Sequence, residues 1–479
     1  MKVLIAASEA EPFAKTGGLA DVTGSLLREL VKIKADAMLI MPLYRTVRER
    51  FALKDTGLAV KVPIGDTEYS SRVFSAPPAA QPRVFFVECD AFFDREELYG
   101  TLHGDYEDNA LRFIFFSRAV LEACRAMALR PDVIHCNDWQ TGLIPLYMRT
   151  LYKNDFGSAQ SLFTIHNLGY QGIFPLSVSA VTGLGPEFFT PSGMEFYGQV
   201  NFMKSGIVFS TGLNTVSGNY SKEILTPDYG FGLDGVLKDR AEDLRGILNG
   251  IDCDLWNPAK DPMTAANYST GDISGKASCK SELLRECGLE GQRPLLAMVG
   301  RLSSQKGIDI FLEAAGRIIS DGCNIVILGR GDEEYEKGLE ALARKYPGRV
   351  SLHLGHDEAF AHRVYAGSDI IVIPSRYEPC GLTQMIAHRY GTVPVARQTG
   401  GLADTIEDYD HLKGSGTGFL FADYTPDALR RAIGRSLCVY ANLPAWKGVV
   451  VSGMKKDFSW RSSAKKYLSL YESLSGVKR

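Results

Sequence analysis

The chain has 479 residues, more than one hydrophobic core usually organises, so two domains are the default expectation. Hydrophobic residues make up 45% and charged residues 23%, and no apolar run approaches the roughly 18 residues of a membrane span. The formal net charge of −3, with no basic block or stripe, argues against a nucleic-acid or membrane partner; an anionic ligand would have to be held by a few local cations. Nine scattered cysteines without a Cys-x-x-Cys pair argue against a disulfide framework or a zinc site, and for a reducing, cytoplasmic setting.

In chain order, the apolar stretch Lys2 to Ser8 is too short for a signal peptide and runs into a Gly-rich turn, so it reads as a first strand. Further β-rich runs follow at 37–42, 84–89, 132–136 and 161–166, and a second series at 295–300, 324–329, 350–354, 369–374 and 393–396. Several are continuously apolar, such as Asn324-Ile325-Val326-Ile327-Leu328, which means burial on both faces and a parallel sheet covered by helices. Strands alternating with helical stretches, twice over, predict two doubly wound α/β domains of Rossmann-like type. The series breaks at 247–294, which suggests domains at 1–250 and 251–456. The remainder, 457–479, carries Trp460, Ala464, Tyr467, Leu468, Tyr471 and Leu474 on one helical face. That helix either crosses back to the N-terminal domain or lies as a simple surface helix.

The hexapeptide Thr-Gly-Gly-Leu-Ala-Asp occurs at 16–21 and again at 399–404, each time after a predicted strand and at the start of a helix. Ligands of doubly wound sheets bind at the carboxyl ends of strands, where both copies fall. In the first copy, Lys15, Gly17 and Gly18 combine a cation, close backbone approach and a helix N-terminus, which suits a phosphate or a sugar beside one. A structural turn with a surface lysine is the plainer alternative. The spacing matches neither the phosphate loop of ATPases nor a dinucleotide fingerprint.

Four other strand ends carry candidate chemistry. Arg301 and Lys306 flank a short loop after 295–300; a guanidinium fork and an ammonium there would serve a visiting anion. Glu378 lies in the loop after Pro374, positioned to accept sugar hydroxyls or to cap a helix, and Gly381, Leu382 and Thr383 follow with backbone amides for a phosphate. His166 follows the apolar run 161–166, beside Asn167 and Gly169. Asp138 and Trp139 follow 132–136; an aromatic face and a carboxylate would suit a sugar.

Taken together these stretches resemble the bacterial glycogen synthase and plant starch synthase family, retaining glycosyltransferases of the GT-B architecture with the active site in the interdomain cleft. The matching segments are Lys15 to Val22, Asn137 to Pro145, Thr164 to Pro175, Gly246 to Asp252 with Trp256-Asn257-Pro258, Val299 to Gly307, Pro374 to Gln384 and Thr399 to Thr405, in the family's order along nearly the whole chain. The resemblance implies that Lys15 and Gly18 contact the donor near its phosphates and glucose. It implies that Arg301 and Lys306 hold the diphosphate leaving group, that Glu378 holds glucose hydroxyls, and that the Gly381, Leu382 and Thr383 amides meet the phosphates. It sets His166 beside the transferred glucose, with its backbone carbonyl near the anomeric carbon, and gives Asp138 and Asn249 to the glucose pocket. Thr23, Ser25 and Asn137 stand where the family more often has other residues. His356 stands where an aromatic ring near the base is expected, which bears on nucleotide preference.

The implied reaction is glucosyl transfer from ADP-glucose to the non-reducing end of an α-1,4-glucan such as glycogen, with retention of configuration. Retaining hydrolases use two carboxylates about 5 Å apart. No such pair is legible here, so a front-face transfer is expected, with the departing charge stabilised electrostatically. No metal or other cofactor is expected; Asp252-Cys253-Asp254 and Asp408-Tyr409-Asp410 read as structural. The alternatives are a non-catalytic glucan-binding protein or a GT-B transferase with another acceptor. ADP-glucose is favoured over UDP-glucose by the bacterial-type length, not by any residue.

Overall fold

The computed structural model describes residues 1–77, 82–101 and 104–476. The chain forms two compact units: residues 1–216, 221–247 and 460–479 make the first, and 217–220 with 248–459 make the second. The chain thus leaves the first unit after Ile247 and rejoins it at Trp460.

The first unit is built around a nine-stranded sheet. Its strands are β1 (Lys2–Ala6), β2 (Asp36–Pro42), β3 (Lys54–Ile64), β4 (Thr67–Ser75), β5 (Arg83–Val87), β6 (Val133–Asn137), β7 (Gln160–Ile165), β8 (Gly212–Thr215) and β9 (Leu244–Gly246). Their order is β9-β8-β7-β6-β1-β2-β5-β4-β3. All neighbours are parallel except the β3–β4 and β4–β5 pairs. β6 is buried along its whole length and β1 from its second residue on, as expected of strands covered on both faces. The β3–β4 hairpin is instead an edge with alternating exposure, the period-2 pattern of a half-buried antiparallel pair.

The helix Trp460–Ser475 packs into this first unit. Trp460, Ala464, Tyr467 and Tyr471 are buried, while Leu468 and Leu474 are half-buried at the rim. Two of its hydroxyls enter a polar spine inside the core. Tyr471 Oη lies 2.8 Å from His135 Nδ1, His135 Nε2 lies 2.6 Å from Thr164 Oγ1, and Thr164 Oγ1 donates to Asn214 Oδ1 at 2.7 Å. Tyr467 Oη donates to the same Asn214 oxygen at 3.0 Å. Because Thr164 spends its proton on Asn214, His135 carries its own on Nε2 and accepts from Tyr471 at Nδ1. Burial pushes His135 down to about 3, so the ring is neutral at physiological pH. Each buried polar atom named here has a partner, which is what makes such a spine tolerable in a core.

The second unit is a six-stranded, all-parallel sheet: β10 (Leu295–Val299), β11 (Asn324–Gly329), β12 (Val350–Leu354), β13 (Ile370–Ile373), β14 (Val393–Arg397) and β15 (Phe419–Phe421), ordered β12-β11-β10-β13-β14-β15. In both sheets the first strand in sequence sits in the middle, and the order reverses beside it: between β1 and β6 in one, between β10 and β13 in the other. Such reversal points open a crevice at the carboxyl ends of the strands, because successive crossover helices go to opposite faces. The loops after β1, β6, β10 and β13 are therefore where ligand chemistry is expected.

All nine cysteines are free thiols. Among the described residues no helix is long and apolar enough to cross a membrane.

Candidate active site

In the second unit the reversal point holds a pocket open to solvent, lined from β10 by Gly300, Arg301 and Lys306 and from β13 by Ser375, Glu378 and Thr383. Four residues singled out in the sequence thus meet in one place. Lys306 is placed by a tight turn. Gly307, with φ 73°, reverses the chain into the helix Ile308–Ser320, and a Cβ there would lie 2.1 Å from Pro374 O. The turn after β10 is therefore pressed onto the end of β13, and only glycine fits.

Lys306 Nζ lies 2.8 and 2.7 Å from the two carboxylate oxygens of Glu378, and Ser375 Oγ donates to Oε2 at 2.8 Å. Glu378 is 6% exposed, which leaves it dependent on those partners. The two residues assigned separately to phosphate and glucose are thus each other's counter-ions. Arg301 is exposed and pairs with no described residue, so it is the uncompensated cation of this pocket. Gly381 adopts φ 73°, and the N–H groups of Gly381, Leu382 and Thr383 donate to no described protein group ahead of the helix Thr383–Arg389. Asn249 is buried with Oδ1 lacking a hydrogen-bond partner, and its backbone N–H is directed at the Cys380 thiol. An orphaned buried acceptor normally costs stability, which makes Asn249 a candidate ligand contact. His356 is exposed at the end of edge strand β12 and does not line the pocket.

The second hexapeptide copy does a different job from the first. Thr399, Gly400, Gly401 and Leu402 are buried, and Gly401 N donates to Glu378 O at 3.0 Å. A Cβ on Gly400 would lie 1.9 Å from Glu378 O, and one on Gly401 2.0 Å from Cys380 O. This copy clamps the backbone of the Glu378 loop. Its glycines are pressed onto that loop, unlike those of the first copy.

In the first unit, a Cβ on Gly17 or Gly18 would meet nothing within 4 Å. The loop is shaped from behind by Glu9, 3% exposed, whose carboxylate accepts from Thr16 N at 2.5 Å, Thr16 Oγ1 at 2.8 Å, Gly17 N at 3.2 Å and Tyr99 Oη at 2.7 Å. The Thr16 and Gly17 amides are therefore already occupied; the amides left for a ligand begin at Gly18, where the helix Gly18–Lys32 starts. Lys15 Nζ sits 2.7 Å from Asp21 Oδ1 at the surface. Sequence reasoning passed over Glu9 because Tyr99 lies 90 residues away and only folding brings it near.

Asp138 and His166 lie on adjacent strand ends, β6 and β7. Asp138 Oδ1 accepts from His166 N at 2.8 Å, and Asp138 N donates to Thr164 O at 3.0 Å. Asp138 adopts φ 57°, ψ −178°, a region otherwise nearly restricted to glycine and costing about 1–3 kcal/mol. Burial raises its carboxyl to about 7, against the lowering effect of the His166 and Asn167 amides and with a further rise from nearby Glu9. His166 is pushed down to about 3 by burial, so it is a neutral imidazole. Strain and a displaced carboxyl at one strand end are marks of a functional site. Trp139 is not a sugar platform. It is 9% exposed, edge-on to Phe113 at 4.9 Å and Phe174 at 5.7 Å, with Gly172 against its ring.

The carboxylates of Asp252-Cys253-Asp254 and Asp408-Tyr409-Asp410 serve local structure. Asp252 Oδ1 accepts from Asp254 N and Leu255 N, Asp254 pairs with Lys260, Asp408 pairs with Arg435, and Asp410 accepts from Leu412 N and Lys413 N.

Residues 2–239 match the family described as starch synthase catalytic domain, and residues 280–437 match glycosyl transferases group 1. The glycogen synthase of Thermodesulfovibrio yellowstonii is 46% identical over 99% of this chain and 98% of its own. Glycogen synthase 2 of Geobacter sulfurreducens is 44% identical over the whole of both chains. Among solved structures, the catalytic domain of starch synthase IV from Arabidopsis thaliana, bound to ADP and acarbose, superposes with a TM-score of 0.91 at 34% identity over 99% of each chain. Sucrose-phosphate synthase from Thermosynechococcus elongatus shares the fold at a TM-score of 0.64 and 17% identity.

Two Rossmann-like parallel sheets, each with polar and charged side chains gathered at its reversal point, define a glycosyltransferase of the GT-B class. Within that class the chain belongs to the glycogen synthase and starch synthase family, and it is a glucosyltransferase.

Proposed function

We propose that this enzyme transfers glucose from ADP-glucose to the non-reducing end of an α-1,4-glucan, with retention of configuration and without a metal ion. The observation that carries the reading is the Arg301–Lys306–Glu378 pocket at the β10/β13 reversal point. The ADP and acarbose bound by the Arabidopsis relative support a nucleotide diphosphate donor and a glucan acceptor.

In this mechanism the diphosphate takes the charge of Arg301 and draws Lys306 away from Glu378. The carboxylate so released accepts glucose hydroxyls. As the glycosidic bond breaks, negative charge grows on the departing phosphate, where preplaced cations and the Gly381–Thr383 amides stabilise it most. Lys15 and the Gly18 amide serve the same donor, Asp138 and Asn249 accept from the glucose, and His166 sits beside it. The acceptor 4-hydroxyl attacks on the face the diphosphate leaves and passes its proton to that phosphate. Glu378, 6% exposed and occupied by Ser375 and the glucose hydroxyls once Lys306 has turned to the diphosphate, is a poor nucleophile, which supports front-face transfer over a covalent intermediate. The local roles of Asp252, Asp254, Asp408 and Asp410 support metal independence. The nine free cysteines support a reducing compartment, and with it the cytoplasm.

ADP release from ADP-glucose, measured with and without glycogen in excess chelator and beside UDP-glucose, tests the whole reading. Glycogen-dependent release that survives the chelator, with weak use of UDP-glucose, is the expected result. Release from neither donor would sink the donor assignment, and a glucosyl-enzyme trapped on Glu378 or Asp138 would sink the front-face mechanism.

A further inference from the structure

His166 is gripped twice by consecutive residues at the end of β6. Its backbone N–H goes to Asp138 Oδ1 at 2.8 Å, and its ring Nε2 lies 2.9 Å from Asn137 Oδ1. Asn137 is fully buried, and its amide has no freedom to turn. Nδ2 donates to Ala6 O at 3.1 Å and to His135 O at 3.2 Å. The opposite orientation would set the amide oxygen against two carbonyl oxygens. The oxygen therefore faces His166 and can only accept.

We infer that Asn137 is a positioning residue that fixes His166 as the Nε2–H tautomer and so keeps Nδ1 an unprotonated acceptor for a hydroxyl of the donor glucose. A neutral imidazole has one ring proton, and the Asn137 oxygen claims it. Nδ1 has no hydrogen-bond partner among the described residues. Burial holds the ring neutral across the working pH range, so acid does not supply a second proton that would block Nδ1. The chain β1–β6–β7 carries the instruction: Ala6 and His135 orient Asn137, and Asn137 orients the proton of His166. The same dipeptide, Asn137-Asp138, thus sets both the backbone and the side chain of its neighbour on β7. The geometry makes position 137 decide which ring nitrogen meets the sugar.

The role of Nδ1 rests on the donor reading above, but the tautomer does not, and the test separates them. Nitrogen-15 NMR of the histidine rings of the ligand-free enzyme, with His166→Gln to assign the resonance, should show His166 protonated on Nε2 alone from pH 8 to pH 5. Protonation on Nδ1 overturns the inference whatever the enzyme turns over. Asn137→Leu should lower kcat/KM for the donor about tenfold and mix the two tautomers, while the same change in a His166→Gln background should alter kcat/KM less than twofold. Equal losses in both backgrounds would mean that Asn137 acts only on the fold. Absence of wild-type turnover with ADP-glucose, with the NMR result intact, would overturn the donor reading and leave the tautomer assignment standing.

Discussion

Lys306 and Glu378 neutralise one another, with the ammonium nitrogen 2.8 and 2.7 Å from the two carboxylate oxygens. Catalysis as proposed requires that pair to part when the diphosphate arrives. Lys306→Ala should lower kcat/KM by about 10²–10³, the scale of a lost transition-state charge contact. It should also destabilise the ligand-free protein by about 1–3 kcal/mol, because Glu378 then keeps Ser375 as its named side-chain partner. Adding Glu378→Gln should restore most of that stability and none of the activity. Denaturant unfolding and ADP release on the single and double variants check both halves.

The two copies of one hexapeptide should respond in opposite ways to the same substitution. Gly401→Ala places a methyl 2.0 Å from Cys380 O and should cost roughly 3 kcal/mol or more. Gly18→Ala meets open space at a helix start, so its Tm should stay within about 2 °C of wild type while KM for the donor rises about tenfold. Thermal melts together with donor saturation curves decide it. A stable Gly401→Ala protein would contradict the clamp.

Asp138, raised to about 7 by burial, should pull stability and activity apart. Its folded-state pKa lies above the unfolded value of 3.8, so the protonated form is favoured and stability is lost as pH rises toward 7. Asp138→Asn keeps an oxygen for the His166 amide and removes the charge. Its Tm should exceed wild type by at least about 2 °C at pH 8, with the gain shrinking toward pH 5. Loss of a charged acceptor for glucose should lower kcat/KM about 10- to 100-fold.

Acid should weaken the first unit with a definite slope. His135 and His166 are pushed down to about 3, so between about pH 4 and pH 6 the unfolded chain binds two protons that the folded one does not. Asp138 contributes one proton in the opposite sense. The net of one proton gives a loss of about 1.4 kcal/mol per pH unit on acidification from these three groups. His135→Gln should flatten that slope nearly to zero, even if the variant is less stable at every pH. Denaturant melts of both proteins at half-unit pH intervals would show it, and an unchanged slope would refute the assignment.

The ten strands named from apolar runs are all present, shifted at most by a residue or two at their ends, because continuous Val, Ile and Leu runs bounded by turns leave few alternatives. Arg301, Lys306, Glu378 and Thr383 converge on one pocket because strand-end position is legible in the sequence, and a reversal point gathers strand ends. What a neighbour does to a residue was less legible. Trp139 reads as a sugar platform until Phe113 and Phe174 arrive from other elements to cover it. Glu9 reads as one more residue after a strand until Thr16, Gly17 and Tyr99 all turn out to need its carboxylate. The pairing of Lys306 with Glu378 depends on two loops 72 residues apart, and no local pattern encodes it.

The helix Trp460–Ser475 completes a core whose other members lie before residue 248. On the ribosome, that core is synthesised, then all of the second sheet, and only afterwards the tyrosines that meet His135 and Asn214. Until then the nascent first unit lacks the apolar face of Trp460, Ala464, Tyr467 and Tyr471 that closes its core. The second unit is contiguous apart from Ser217–Tyr220, so it is the part able to mature first. A nascent chain stopped near residue 459 should accordingly be protease-sensitive in its N-terminal half and resistant in its C-terminal half, the reverse of the usual vectorial order.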